Sequence, residues 1–255
     1  MSLSALRGLL KELQVSADGL LVVGGARELA GVLARELARG GSASAVRVGD
    51  PVGAAAYVHI VGGGDESDLK RARRARVPIV AIVFGSEDVS VPFVLATDVV
   101  RVEAGRPFPV EEIAERIAAR LGEDAAPLAG RLPVLRELVC RQIVESFARK
   151  NGIVGAAVFV PGADLPVLAL NQVRMLLRLD QAYGLELDPR ERLPEIAATI
   201  GAGFGMRAVA RELLDLVPVA GWAVKGAVAY AGTKGLGEAA IKRLEAAQTT
   251  TRGPS

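Results

Sequence analysis

Cysteine and histidine each occur once in the 255 residues, as Cys140 and His59. A single cysteine excludes an internal disulfide and a thiolate zinc cage. A single histidine excludes a histidine pair on a metal, and no G-x-S-x-G nucleophile elbow is present. His59 stands between Val58 and Ile60 in an apolar run and reads as a core or edge residue of a strand rather than a base. Aromatic residues are scarce at 4%, so the 51% apolar content is mostly alanine, valine and leucine, which suits close helix packing. A net charge of +2 gives no bulk electrostatic case for nucleic acid as a partner. No clean membrane-spanning run exists either. The run 153–170 contains Asp164 and two prolines, and the run 217–233 contains Lys225. A charge at the bilayer centre costs about 3 kcal/mol. A hairpin dipping into a membrane, with its turn at Pro161-Gly162, stays open as an alternative. Arg7, Lys11 and Glu12 interrupt the first apolar positions, so the N-terminus does not read as a signal peptide and a cytoplasmic location is expected.

What is present falls into two halves. Residues 1–14 read as an amphipathic helix, with Leu3, Leu6, Leu9, Leu10 and Leu13 on one face. Residues 15–121 alternate short β-rich runs with helical patterns. Strands are expected at 19–23, 45–48, 57–61, 78–84 and 98–102, and helices at 27–39, 65–75 and 109–121. Continuous apolar strands alternating with helices predict an α/β lobe with a parallel sheet covered on both faces. Residues 122–131 read as a linker. Residues 132–247 are helical in pattern throughout, and residues 248–255 read as a disordered tail. The predicted fold class is therefore α/β followed by all-α, a Rossmann-like lobe and then a glycine-rich helical domain.

The second half is organised around Pro161-Gly162-Ala163-Asp164-Leu165-Pro166 and the helix it launches, Val167 to Tyr183, closed by Gly184. Asp164 occupies an N-cap position and Gly184 supplies a stop. Asn171, Arg174, Arg178 and Gln181 recur three and four residues apart as one polar stripe. An amphipathic helix in a bundle accounts for it; a stripe facing a partner or lipid headgroups is the functional alternative. Glycines at 152, 155, 201, 203, 205, 221, 226, 232, 235 and 237 interrupt helical patterns. Each costs about 1 kcal/mol relative to alanine, and close helix–helix contact is the usual compensation.

The motifs P-x-A-D-x-P at 161–166, L-x-Q-V-x-M-L-x-x-L at 170–179 and A-Y-G-L-E-L at 182–187 resemble the family termed domain of unknown function 697. The segments Arg207–Leu214, Val217–Gly221 and Ala229–Ala239 fit it in the same order, so the resemblance covers roughly residues 135–245. It implies a helical domain of bacterial inner-membrane proteins, often placed after an Era-like GTPase lobe, and it supplies no catalytic residue. In that context the first half looks like a degenerate GTPase lobe. The stretch Gly25-Ala26-Arg27-Glu28-Leu29-Ala30-Gly31-Val32 has neither the lysine nor the hydroxyl of the phosphate loop G-x-x-x-x-G-K-[ST]. The guanine-reading Asn-Lys-x-Asp is replaced by Gly85-Ser86-Glu87-Asp88. GTP hydrolysis by the usual route is not expected, and the dinucleotide fingerprint G-x-G-x-x-G is missing too.

The candidate site residues follow from topology. Ligands of a parallel sheet bind beyond the carboxyl ends of its strands. Those ends carry Gly24, Gly25, Asp50, Gly62, Gly63, Gly64, Asp65 and Gly85, although tight strand-to-helix turns alone favour glycine. Asn171, Arg174, Arg178, Arg207 and Arg211 are the candidates for contact with a partner or lipid. Asp65, Glu66 and Asp68 could bind a cation, but helix capping accounts for them. No catalytic residue, metal ligand or cofactor is expected. The expected function is a non-catalytic binding or scaffold protein that self-associates, binds a protein partner, or contacts the inner membrane. The alternative is an enzyme or sensor that holds a small ligand or nucleotide at the glycine-rich edge.

Overall fold

The computed structural model describes residues 19–62, 66–85, 90–103, 105–157, 165–185 and 221–252. The chain divides into two compact units. One is Ser16–Val139; the other is Cys140–Ser255 together with Met1–Val15. The N-terminal helix expected at 1–14 lies outside the described residues.

The first unit is built on five strands, β1 (Leu21–Gly25), β2 (Val46–Val48), β3 (Ala56–Ile60), β4 (Ile79–Phe84) and β5 (Val99–Val102). They form one sheet in the order β2-β1-β3-β4-β5, with every neighbouring pair parallel. Helices α1 (Arg27–Leu37), α2 (Ser67–Arg74) and α3 (Val110–Leu121) follow β1, β3 and β5. The architecture is α/β, as the alternation of apolar runs and helical patterns predicts. Strands β1, β3 and β4 are buried almost throughout. Each fully buried valine, leucine or isoleucine there contributes about 1.5–3 kcal/mol relative to exposure. Period-2 alternation places Val22, Tyr57, Ile79, Ala81, Val83 and Val99 on one face, where Leu69 and Ala72 of α2 complete the cluster. Helix α1 buries Ala30, Leu33 and Leu37 and otherwise carries exposed or partly exposed residues. Helix α2 buries only Leu69 and Ala72 and is otherwise polar, with Asp68 in its first turn and Arg71, Arg73 and Arg74 in its last, as the helix dipole favours.

The stretch read as a linker is structured. Gly122–Ala125 forms a 3-10 turn and α4 (Ala126–Arg131) follows, burying Ala126, Leu128 and Ala129. Pro127 occupies the start of α4, where its missing N–H costs nothing. Helix α5 (Pro133–Ala157) begins in the first unit and continues into the second, so the division at Val139 and Cys140 falls within a helix rather than in a connector.

In the second unit, α5 from Cys140 onward is joined by α6 (Leu165–Ala182) and α7 (Gly221–Arg252). The Pro161–Asp164 turn and the helix expected at 194–216 lie outside the described residues. Gly184, at φ +73°, ends α6: its N–H donates to Gln181 and that of Leu185 donates to Asp180. That pair of bonds is the Schellman closure that a glycine after the last turn permits. Helix α7 runs to Arg252, so residues 248–252, read as part of a disordered tail, are helical.

Helix-interior glycines are explained at four positions. A Cβ on Gly226 would lie 2.9 Å from the Gly152 carbonyl oxygen and 3.0 Å from Ala156 Cβ. One on Gly155 would lie 2.8 Å from Ala229 Cβ, one on Gly152 3.2 Å from Tyr230 Cβ, and one on Gly237 2.6 Å from Val144. Backbones of α5 and α7 therefore approach through glycine, the close contact anticipated from composition. Gly232 and Gly235 have open space where a Cβ would stand.

A buried polar network ties the three helices. Asn151, fully buried on α5, donates to Thr233 Oγ1 of α7 at 2.9 Å and accepts from Asn171 Nδ2 of α6 at 2.8 Å. Gln172 Nε2 also donates to Thr233 at 3.4 Å.

Candidate functional site

A cavity of about 1080 Å³ opens at the carboxyl ends of β1, β2 and β3 in the first unit. This is the topological switch point, where crossovers from the central strands leave toward opposite faces and leave a crevice. The residues lining it come from the β1–α1 turn, the end of β2, the end of β3, the first turns of α2 and the segment around Val91.

The β1–α1 turn is closed against β3. Gly25 has φ +91°, and a Cβ there would run into the Ile60 carbonyl oxygen. That same oxygen accepts the Ala26 N–H at 3.1 Å. The amide that would help a phosphate loop cradle its ligand is thus spent inside the sheet. Gly24 is constrained differently. It pairs in register with His59, on the same face as Tyr57, and a Cβ on it would overlap the Tyr57 hydroxyl. Both glycines make room for β3.

That room is occupied by a linked set of polar groups. Tyr57 and His59 are two residues apart on β3 and so share a face. The Tyr57 hydroxyl lies 3.1 Å from His59 Nδ1 and 3.4 Å from the Asp68 carboxylate of α2. Asp68 is bridged by the Arg71 guanidinium, whose Nε also lies 3.7 Å from Asp50. Asp50 closes its own turn by accepting the Val52 N–H at 3.1 Å, and its carbonyl accepts from Arg47 at 3.0 Å. Burial, and next the negative charge of Asp68, push the Tyr57 phenol well above its usual range. Burial pulls the His59 imidazole below its ordinary value of 6.5, with Asp68 opposing. His59 is therefore neutral at neutral pH.

The sequence-predicted residues distribute as follows. Gly24, Gly25, Asp50 and Gly62 line the cavity, with the glycines set by backbone and packing. Gly85, at φ +103°, turns the chain after β4 and is not part of the lining. Gly63, Gly64 and Asp65 lie outside the described residues, as does Asp88, the last residue of the stretch that stands in place of the guanine-reading motif. Capping does not account for Asp68: α2 has no side-chain cap bond, and the Asp68 carboxylate is engaged by Tyr57 and Arg71. Among the described residues no three acidic, histidine or cysteine side chains are grouped to hold a metal ion.

The polar stripe of α6 does not present one outward face. Asn171 is half-buried in the Asn151 network, and Arg178 is only 8% exposed, donating to Gln181 Oε1 at 3.3 Å. Arg174 is partly exposed. Arg207 and Arg211 lie outside the described residues. Among the described residues no helix is long and apolar enough to cross a membrane.

Sequence reasoning passed over Tyr57 and Arg71, and it read His59 as a core or edge residue of a strand without linking it to a site. The usable signal was the i, i+2 spacing of two polar rings in an otherwise apolar strand, followed eleven residues after Tyr57 by a carboxylate in the first turn of a helix. Compared with family models, with curated proteins and with solved structures, the chain matches none.

Proposed function

We propose that this chain is a small-ligand-binding protein, with the ligand site in the α/β unit and a scaffolding role for the helical unit. The observation that carries this reading is the cavity at the switch point, backed by the Asp50–Arg71–Asp68–Tyr57–His59 network. Its volume suits a ligand of metabolite size. No lysine or hydroxyl stands where a phosphate loop would need them, so the reading is binding or sensing and not nucleotide hydrolysis. The helical unit's glycine contacts and buried amide network favour a packed bundle that presents or couples the ligand-binding unit to a partner or a second copy.

The test is a thermal-shift screen of the full chain against sugars, nucleosides, nucleotides, amino acids and organic anions. A binder raises Tm by mass action. Ser90 lines the cavity and is exposed, so Ser90→Trp should abolish the shift while leaving the unliganded Tm unchanged. Either no shift from any compound, or a shift indifferent to Ser90→Trp, refutes the reading.

A further inference from the structure

His59 is 7% exposed and lines the cavity. Its Nδ1 is engaged by Tyr57, and its Nε2 has no hydrogen-bond partner among the described residues. Among those residues, the one side-chain nitrogen or oxygen sealed from solvent without a partner is Arg116 Nε. His59 Nε2 is therefore not sealed, and the space it reaches is the cavity. A polar ring nine-tenths buried, with one edge satisfied and the other left open to a pocket, is an arrangement that a ligand completes.

The tautomer follows from the hydrogen-bond chain. A tyrosine hydroxyl has one proton. A carboxylate can only accept, and a hydrogen bond to an ionised acceptor is stronger than one to a neutral nitrogen. The Tyr57 proton therefore goes to Asp68, and the Tyr57 oxygen accepts a proton from His59 Nδ1. That leaves Nε2 with its lone pair, as an acceptor. Among the described lining residues, the charges are three carboxylates, Asp50, Glu66 and Asp68, against two guanidiniums, Arg27 and Arg71. Arg71 is already engaged by Asp50 and Asp68. The lining is thus unsuited to a polyanion.

Building on the small-ligand reading above, we infer that the cavity takes a neutral ligand of sugar or nucleoside size, which donates a hydroxyl or amino hydrogen to His59 Nε2. Tyr57 and Asp68 are positioning residues: they hold His59 in the accepting tautomer and touch no ligand themselves in this role.

One histidine in the chain makes the test direct, because every imidazole signal is His59. In the full-length protein at neutral pH, imidazole nitrogen NMR should show a protonated Nδ1 and an unprotonated Nε2. Tyr57→Phe and Asp68→Asn should each relax that preference toward the Nε2–H form. Observation of Nε2–H or imidazolium in the unmodified protein overturns the inference. Carboethoxylation of the imidazole by diethyl pyrocarbonate then reports on ligands. Glucose, adenosine, guanosine and uridine form the test set, with inorganic pyrophosphate as the anionic comparison. At least one of the four should slow the reaction about tenfold when present at about ten times its Kd, and pyrophosphate should not. Protection by pyrophosphate, or by none of the four, overturns the ligand class. The broader binding reading fails separately, if the thermal-shift screen finds no stabilising compound of any charge.

Discussion

The Tyr57 ring occupies the place where a side chain on residue 24 would begin: a Cβ added to Gly24 would lie 2.9 Å from Tyr57 Cε2 and overlap its hydroxyl. Tyr57 cannot retreat without giving up its bonds to His59 and Asp68. Gly24→Ala should therefore destabilise the first unit by about 2 kcal/mol, within the range for overpacking a filled core. Tyr57→Phe removes the overlapping oxygen and should recover part of that loss in the double variant. Urea unfolding of the four proteins in a double-mutant cycle measures the coupling. Strict additivity would show that the two positions do not constrain each other.

Histidine titration gives a pH signature. Burial lowers the His59 pKa in the folded state below 6.5. Above that pH the imidazole is neutral in both states and contributes no slope. As pH falls below 6.5 the unfolded chain takes up its proton first, so stability declines until the folded protein is protonated too. His59→Gln should flatten that interval of the stability profile and leave the remainder parallel to the parent. Matching profiles in the two proteins would place His59 in a solvated, unperturbed setting.

Glycines within α7 should behave in two opposite ways. Gly226→Val forces a branched side chain against the Gly152 carbonyl and Ala156, and should lower stability by about 2 kcal/mol or more. Gly232→Ala and Gly235→Ala meet open space, and each should raise it by about 0.5–1 kcal/mol through helix propensity. Thermal melts of the three variants decide the matter. Loss of stability in Gly232→Ala would mean that this face is covered in the assembled protein.

Asn151 and Thr233 are both fully buried and bonded to each other. Thr233→Val keeps the shape but leaves the Asn151 and Gln172 amides without their shared acceptor, at a cost of about 1–3 kcal/mol. Asn151→Leu should cost as much or more, because it removes the shorter of the two bonds to Thr233 and leaves Asn171 Nδ2 without its acceptor. Denaturant unfolding read from helical circular dichroism checks both.

The fold was legible because its signals are local. Runs such as Ile79–Phe84 are apolar at every position, and short strands of that kind between glycines have few alternatives to a buried parallel sheet. Gly184 announced the end of α6 in the same way. The linker reading of 122–131 did not hold, since Pro127 sits at the start of α4, where proline favours a helix rather than breaking it. The site was legible only as an edge. Glycine counts pointed to the ends of β1, β2 and β3, where the cavity opens, yet the reason for Gly24 is the ring of Tyr57, 33 positions later, and no spacing rule connects them. Asp68 was assigned to capping on the same grounds: its local role was visible and its long-range partners were not. On α6, residue spacing identified a polar stripe, but whether a stripe meets water or a buried asparagine depends on the neighbouring helices.

The all-parallel order of the sheet also has a kinetic side. Strand β1 is the first to leave the ribosome, and both of its neighbours lie well downstream, with Leu21 aligned to Val46 on one side and to Ala56 on the other. Until those segments emerge, the apolar Leu21–Val23 run has unmet backbone groups on both edges. Non-local pairing of this kind closes slowly and leaves the nascent chain open to aggregation. The helices of the second unit can form from neighbouring residues alone. During synthesis the Leu21–Val23 run is thus exposed before either of its pairing partners is available.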